Sequence, residues 1–306
     1  MSDLLTHSTS SREEMQAYFS DAANPIGLDG IEFVEYATRK PQALGQVLEM
    51  MGFQPIARHR SREILLYRQG GLNVVVNAHP DEARAASHGK DEPSISAIAF
   101  RVRDARAAYH RVLEQGAWEV PTRAEVMELN IPAIHGAGGS RLYFVDRYHE
   151  FSIYSVDFVP IPSVNQDPPA TAGIHFFGIV QYIGPGRSYD WIEFYQALFG
   201  AQLIPDEERF GIMPKGKLLR MPSITAGKGF MVQLVEPDPH VFDANECLQR
   251  LGLGVPDVRT AVATLRHNGV EFLETDRTHT EARGAMTKTY LGSVVFELVH
   301  SLGRSA

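Results

Sequence analysis

The chain has 306 residues, of which 44% are apolar and 22% are charged, close to the averages for globular proteins. Its net charge is −8, so we expect no nucleic-acid partner, because phosphate binding relies on clustered cations. Cys247 is the single cysteine and cannot form a disulfide within the chain, which fits a reducing compartment. No apolar run approaches the ~20 residues that span a bilayer, and the first 20 residues lack a signal-peptide pattern. We therefore expect a cytoplasmic protein without a membrane partner.

Taken in chain order, the predicted elements form two similar halves. Ser11 followed by Glu14 predicts a capped helix in an N-terminal extension, residues 1–23. The pattern then predicts, in each half, a strand, a helix and a strand-rich stretch: 31–37, 41–51 and 64–77, then 177–183, 189–198 and 217–235. A segment rich in proline and small residues, 160–172, predicts a linker between a domain over 24–159 and a domain over 173–306.

An internal repeat with an offset of 153 supports two modules in each half. It relates the pairs Val102/Val255, Asp104/Asp257, Arg106/Arg259 and Gly116/Gly269. Each copy predicts an alternating strand, an Asp near the start of a helix, and a Gly at the end of that helix. Modules of a strand, a helix and further strands can curl into a cup that encloses a pocket.

Several motifs carry a resemblance to a known family. They are Asn24-Pro25-Ile26-Gly27, Gly30 to Glu35, His59-Arg60-Ser61, Leu66 to Gly70, Ala99 to Val102, Glu128 to Ile134 and Tyr143 to Arg147. With these motifs the chain resembles the vicinal oxygen chelate superfamily, and within it the 4-hydroxyphenylpyruvate dioxygenase family. The resemblance implies an α+β protein with the vicinal oxygen chelate fold, in which four βαββ(β) modules form two cup-shaped half-barrels. It also implies that the first half is structural and that the second half holds Fe(II).

In the family that this chain resembles, two His and one Glu on facing strands hold the iron. Carried over one at a time, the two His positions fall at Gly178 and Arg250, and the Glu position falls at Glu297. The internal repeat places the first-half counterparts of Arg250 and Glu297 153 residues earlier, at Ala97 and Phe144. The family does not use these two positions for metal. Only one of three ligands is therefore present. A glycine offers no donor, and a guanidinium repels a divalent cation.

Four other histidines can be considered as substitute ligands. His175 and His300 each lie three residues from a ligand position, so on a regular strand each faces the other way. His240 and His279 lie in polar stretches. We expect all four to be surface or hydrogen-bonded residues. We likewise expect Cys247 to be a small core residue and not a nucleophile.

If Arg250 and Glu297 both point into the second-half cup, they meet where the metal would lie. The pair is then either a salt bridge that closes the barrel, or an anion anchor with spare donors for a carboxylate or keto acid. Gln233 is the polar residue of inward parity on a neighbouring strand. A glutamine that family members supply falls near Gly284. We expect the cup to be more open than in the family, or closed by a partner chain in a homo-oligomer.

Three hypotheses follow. The first is a family member without a cofactor, whose second-half cup binds a small carboxylated, aromatic or keto-acid ligand through Arg250, Gln233 and Glu297. If it is an enzyme, it is a dioxygenase or a metal-free lyase or isomerase. The second is an Fe(II)-dependent dioxygenase with a rearranged ligand set around Glu297. The third is a non-catalytic structural or regulatory partner of another protein.

Overall fold

The structure is a computed structural model. It describes residues 23–121, 129–149, 151–208, 216–225, 229–236, 245–273 and 284–302. The short helix that Ser11 and Glu14 predict lies outside the described residues, as do His240 and His279.

The described residues form fifteen strands and six α-helices, so the α+β expectation is confirmed. The strands are β1 Leu28–Ala37, β2 Gln54–His59, β3 Ile64–Gln69, β4 Leu72–Asn77, β5 Ser94–Val102, β6 Ala133–His135, β7 Arg141–Val145, β8 Phe158–Pro160, β9 His175–Tyr182, β10 Gln202–Ile204, β11 Lys217–Arg220, β12 Met231–Val235, β13 Cys247–Val255, β14 Ala285–Met286 and β15 Phe296–His300. The helices are α1 Pro41–Met50, α2 Pro80–Ala86, α3 Ala105–Glu114, α4 Ile153–Asp157, α5 Ser188–Phe199 and α6 Val258–His267.

The repeated helices α3 and α6 begin and end as the sequence predicts. The Asp104 side chain accepts a hydrogen bond from the Ala107 N–H, and Asp257 accepts one from the Thr260 N–H. Each carboxylate thus satisfies one of the free amides of the first turn. After each helix the chain turns at a glycine with positive φ, +90° at Gly116 and +95° at Gly269, a conformation that glycine adopts without strain.

The sheet shows the duplication directly. In the first half the strands run in the order β7-β5-β1-β4-β3-β2, and in the second half in the matching order β15-β13-β9-β12-β11-β10. The two halves join where Leu248 of β13 pairs with Ile95 of β5. Each half is therefore built from two modules that share one curved sheet.

The repeat offset is not constant along the chain. Leu251 pairs with Phe296, and its counterpart Ile98 pairs with Leu142, so the offset rises from 153 on the central strands to 154 on the last strands. The counterpart of Glu297 is consequently Tyr143, and the expectation of Phe144 is wrong. Because side chains alternate across a strand, this shift of one residue changes which face the counterpart occupies.

An aromatic cluster packs the first half against the second. Phe100 of β5 is 1% exposed. Its ring centroid lies 5.3 Å from that of Phe199 and 5.8 Å from that of Phe230, and Phe230 also contacts Phe176. Three of these four rings belong to the second half, so the hydrophobic core is continuous between the halves.

Among the described residues, no helix is both long enough and apolar enough to cross a membrane.

Candidate functional site in the second half

Pairing along the second-half sheet places the predicted site residues on one face. Gly252 pairs with Gly178 on one side and with Glu297 on the other. Arg250 is two residues from Gly252 on β13 and pairs with Val180, which in turn pairs with Gln233. Directly opposite residues in a ladder point to the same side. Gln233, Arg250 and Glu297 therefore share the concave face, as their parity in the sequence predicts.

Arg250 and Glu297 form a buried ion pair. The Arg250 Nε donates to Glu297 Oε2 at 2.9 Å, and the two side chains are 2% and 5% exposed. Arg250 Nη2 also lies 2.9 Å from the same oxygen, but it lacks the alignment of a hydrogen bond and has no hydrogen-bond acceptor among the described residues. The expected contact is present, and the buried Nη2 amino group makes no aligned hydrogen bond to a described residue.

Gln249 completes the surroundings of Arg250, although no pattern in the sequence points to it. Its Oε1 accepts from Arg250 Nη1 at 2.8 Å. The ladder pairs Leu248 with Gln181 and Arg250 with Val180, so Gln249 is the extra residue of a bulge. Neighbouring residues on a regular strand point to opposite faces, and no sequence pattern identified this bulge.

Backbone geometry explains two of the departures from the family pattern. A Cβ placed on Gly178 would lie 2.4 Å from the Met231 carbonyl oxygen, so β12 would have to shift to admit any side chain there. Gly284 has a φ of +90°, and its Cβ would lie 2.0 Å from the Leu298 carbonyl oxygen. The expected positions of a histidine and a glutamine are both glycines against which another strand packs closely.

The parity argument for His175 is wrong, because a second bulge intervenes. Gly178 pairs with Gly252 but His175 pairs with Gly254, which places His175 on the same face as Arg250. Its Nδ1 lies 3.0 Å from the Gly173 carbonyl oxygen, and its Nε2 lies 3.0 Å from Ser301 Oγ. Both ring nitrogens thus have protein partners, as expected of a hydrogen-bonded histidine. His300, on regular β15, is exposed.

Within the described part of the chain, the other candidates do not gather into a metal site, and Cys247 lacks the setting of an activated nucleophile. No group of three or more His, Cys, Asp or Glu side chains suited to a metal ion occurs among the described residues. Burial raises the pKa of the Cys247 thiol, which lowers the thiolate fraction near neutral pH.

The first half contains a second arginine–carboxylate pair, which was not among the residues expected from the sequence. Arg141 of β7 donates to Glu35 of β1 at 2.8 Å. Both side chains lie on the concave face of the first-half sheet, on either side of Ala97, the counterpart of Arg250. The alternation of Phe33 and Glu35 in β1 is a signal that could have identified this face.

Comparisons with known proteins identify the lineage. Residues 22–159 match the family described as hydroxyphenylpyruvate dioxygenase, HPPD, N-terminal. The chain is 34% identical to a 4-hydroxyphenylpyruvate dioxygenase from Pseudomonas aeruginosa, over 84% of this chain and 75% of that protein. It belongs to the 4-hydroxyphenylpyruvate dioxygenase family.

Two further comparisons cover different shares of the chains that they match. The chain is 42% identical to the 4-hydroxyphenylpyruvate dioxygenase of Pseudomonas sp. strain P.J. 874, over 58% of this chain, and the match spans only 50% of that enzyme. The fold resembles a mutant 4-hydroxymandelate synthase from Streptomyces coelicolor, with a TM-score of 0.69 at 18% identity, covering 92% of this chain and 95% of that one. The vicinal oxygen chelate fold expected from the sequence is thereby confirmed.

Proposed function

We propose that this member of the 4-hydroxyphenylpyruvate dioxygenase family binds a small carboxylated ligand, an aromatic acid or a keto acid, in its second-half cup without a metal. The observation that supports the proposal is the buried Arg250 Nη2, which lies 2.9 Å from Glu297 Oε2 but makes no aligned hydrogen bond to a described residue. A buried donor left unsatisfied costs about 1–3 kcal/mol. A ligand carboxylate or keto oxygen supplies the acceptor.

The residues at the family's metal positions do not suit Fe(II). Iron of this type needs two imidazoles and a carboxylate with open coordination positions. Gly178 offers no donor atom, and Arg250 brings a fixed positive charge to within 2.9 Å of the carboxylate of Glu297. The guanidinium takes the role of counter-charge to Glu297, without the redox chemistry of a metal.

Gln233, a further polar residue on the concave face, is suited to orienting a ligand. Gln233 is half-buried and lies across β9 from Arg250, with Val180 between them. Its amide carries both donors and an acceptor, whereas Arg250 only donates. An acid that also bears a keto or hydroxyl oxygen fits this combination better than a simple alkyl acid.

Calorimetric titration with 4-hydroxyphenylacetate and with the uncharged 4-ethylphenol tests the proposal. We expect the acid to bind at least tenfold more tightly than the phenol, and the double variant R250Q/E297Q to abolish this preference. The double variant replaces both charges, so it leaves no unpaired buried charge. Arg259→Gln, a change of an exposed arginine on α6 of the same half, is the matched control and should bind as the parent chain does.

Two results would overturn the proposal. Equal affinity for acid and phenol would mean that the Arg250–Glu297 pair only closes the barrel. Near-stoichiometric iron in freshly purified protein, together with dioxygen uptake on adding an aryl pyruvate, would establish an iron dioxygenase with a rearranged ligand set.

A further inference from the structure

The first-half cup contains a large cavity that the family resemblance leaves without a role. Its volume is about 1200 Å³, above the roughly 300–1,000 Å³ of typical small-molecule sites. Phe33, Glu35, Arg141 and Tyr143 from the concave face line it. Ala97 lies between Glu35 and Arg141 in the sheet. This position holds a methyl group where the second half holds the side chain of Arg250.

Glu35 offers this cavity one unused acceptor. Its side chain is only 8% exposed, and its Oε1 accepts from Arg141 Nη2 at 2.8 Å, Ser96 Oγ at 2.7 Å and Asn77 Nδ2 at 3.3 Å. Every side-chain hydrogen bond of Glu35 within the described residues is made by Oε1, so Oε2 has no partner there. Because hydrogen bonds to Oε1 fix the carboxylate, Oε2 is held in place and can accept a strong hydrogen bond from a charged donor.

The charge around the cavity favours a cation. Arg141 is shared between two carboxylates, because its Nη1 also lies 3.0 Å from Glu82 Oε2, so this trio carries a net charge of −1. Among the described lining residues the carboxylates are Glu35, Glu63, Asp81, Glu82 and Asp157, and the guanidinium groups are Arg62 and Arg141. Three histidines, His59, His79 and His135, also line the cavity. With histidine counted as neutral, the five carboxylates exceed the two guanidinium groups by three, which disfavours a carboxylated ligand.

The walls beside Glu35 are aromatic. The rings of Phe33 and Tyr143 lie 6.1 Å apart, centroid to centroid, and the Tyr143 hydroxyl has no hydrogen-bond partner among the described residues. Burial and the nearby Glu35 raise the pKa of Tyr143 to about 12, so its hydroxyl stays protonated and can donate. Aromatic faces also attract organic cations.

We propose that the first-half cup is a second binding site, which takes a small phenolic compound bearing an ammonium group. The ammonium lies on Glu35 Oε2, the ring lies against Phe33 and Tyr143, and the phenol oxygen accepts from the Tyr143 hydroxyl. The site is separate from the acid site of the second half and has the opposite charge preference. It does not depend on the Arg250–Glu297 pair.

Titration calorimetry with tyramine as the probe, compared with 4-hydroxyphenylacetate and 4-ethylphenol, tests this site. We expect tyramine to bind more tightly than the uncharged phenol. Glu35→Gln should weaken tyramine at least tenfold, and Tyr143→Phe should weaken it a few-fold. Glu114→Gln, at the end of α3 and exposed, is the control for loss of one negative charge and should leave the affinity unchanged. R250Q/E297Q should also leave it unchanged.

The outcomes are distinguishable from those for the second-half site. Equal binding of tyramine and 4-ethylphenol, or full tyramine affinity in Glu35→Gln, would refute the ammonium site. Loss of tyramine binding in R250Q/E297Q alone would place the ligand in the other cup. If Glu35→Gln fails to fold, Tyr143→Phe decides, since its hydroxyl bonds to no described residue, and unchanged tyramine affinity in that variant would refute the site.

Discussion

At the scale of single residues, the Arg250–Glu297 pair shows how a charge can be kept inside the sheet. The arginine is 2% exposed and the glutamate 5%. A lone buried charge costs several kcal/mol, and a pair of this kind often contributes little net stability compared with apolar residues of similar size. The pair therefore contributes more to the charge distribution of the second-half cup than to the stability of the folded chain.

This balance predicts different effects of single and double substitutions. Arg250→Met leaves Glu297 buried without its counter-charge and should lower the free energy of unfolding by about 3–5 kcal/mol. The double variant R250M/E297L removes both charges and should lose much less. Urea denaturation followed by circular dichroism measures both values.

Arg220→Met serves as the control, since Arg220 is exposed and its loss should change stability little. A double variant that is as unstable as Arg250→Met would contradict the balance described above, because it would show that the pair itself is strongly stabilising.

At the scale of elements, the stability of α3 depends on side chains that bond to the free amides of its first turn. The Asp104 carboxylate accepts from the Ala107 N–H at 2.8 Å, and the Ala105 N–H is taken by Asp146 of the loop after β7 at 3.0 Å. Two of the four free amides at the start of α3 are thus satisfied by side chains. The cap also fixes the direction in which the chain leaves β5.

Replacing this cap tests its contribution to stability. Asp104→Ala should lower the free energy of unfolding by about 1 kcal/mol, while Asp104→Asn should change it little, because asparagine caps helices as well as aspartate does. Thermal or urea unfolding of the two variants gives the comparison. Equal losses for Ala and Asn would mean that the charge of Asp104, and not its capping hydrogen bond, matters.

At the scale of the whole molecule, the two halves are coupled through a shared core and not only through the strand pairing of β5 with β13. Phe100 contributes to this core from the first half, where its ring touches Phe199 and Phe230 of the second. A substitution at Phe100 should therefore lower the stability of both halves.

The two tryptophans make this coupling measurable. Trp191 of the second half is 8% exposed, whereas Trp118 of the first half is 79% exposed. In a Trp118→Phe background, fluorescence reports on the second half alone. We expect Phe100→Ala to destabilise the chain by about 3–5 kcal/mol and to lower the midpoint of the Trp191 transition.

Phe151→Ala is the matched control, because Phe151 is 81% exposed, and it should leave that midpoint unchanged. The midpoint of the Trp191 transition could also stay unchanged in Phe100→Ala while calorimetry shows the first half unfolding at a lower temperature. That result would mean that the halves unfold independently.

Local patterns in the sequence were sufficient to predict the modules, the capped helices and the shared face of Gln233, Arg250 and Glu297. These features depend on residues a few positions apart: an aspartate before a helix, a glycine after it, and alternation along a strand. The family resemblance added the arrangement of the modules and the position of Glu297. The sequence by itself thus determined the fold and which charged residues meet in the second half.

Only the tertiary structure decided the features that depend on cross-strand partners. Bulges at Gln249 and before Gly178, and the offset of 154 on the last strands, change which face a side chain occupies. The same is true of the close packing of Met231 on Gly178 and of the first-half cavity beside Glu35. Each arises from how two distant strands align, and a single extra residue reverses parity, so no local pattern along one strand contains this information.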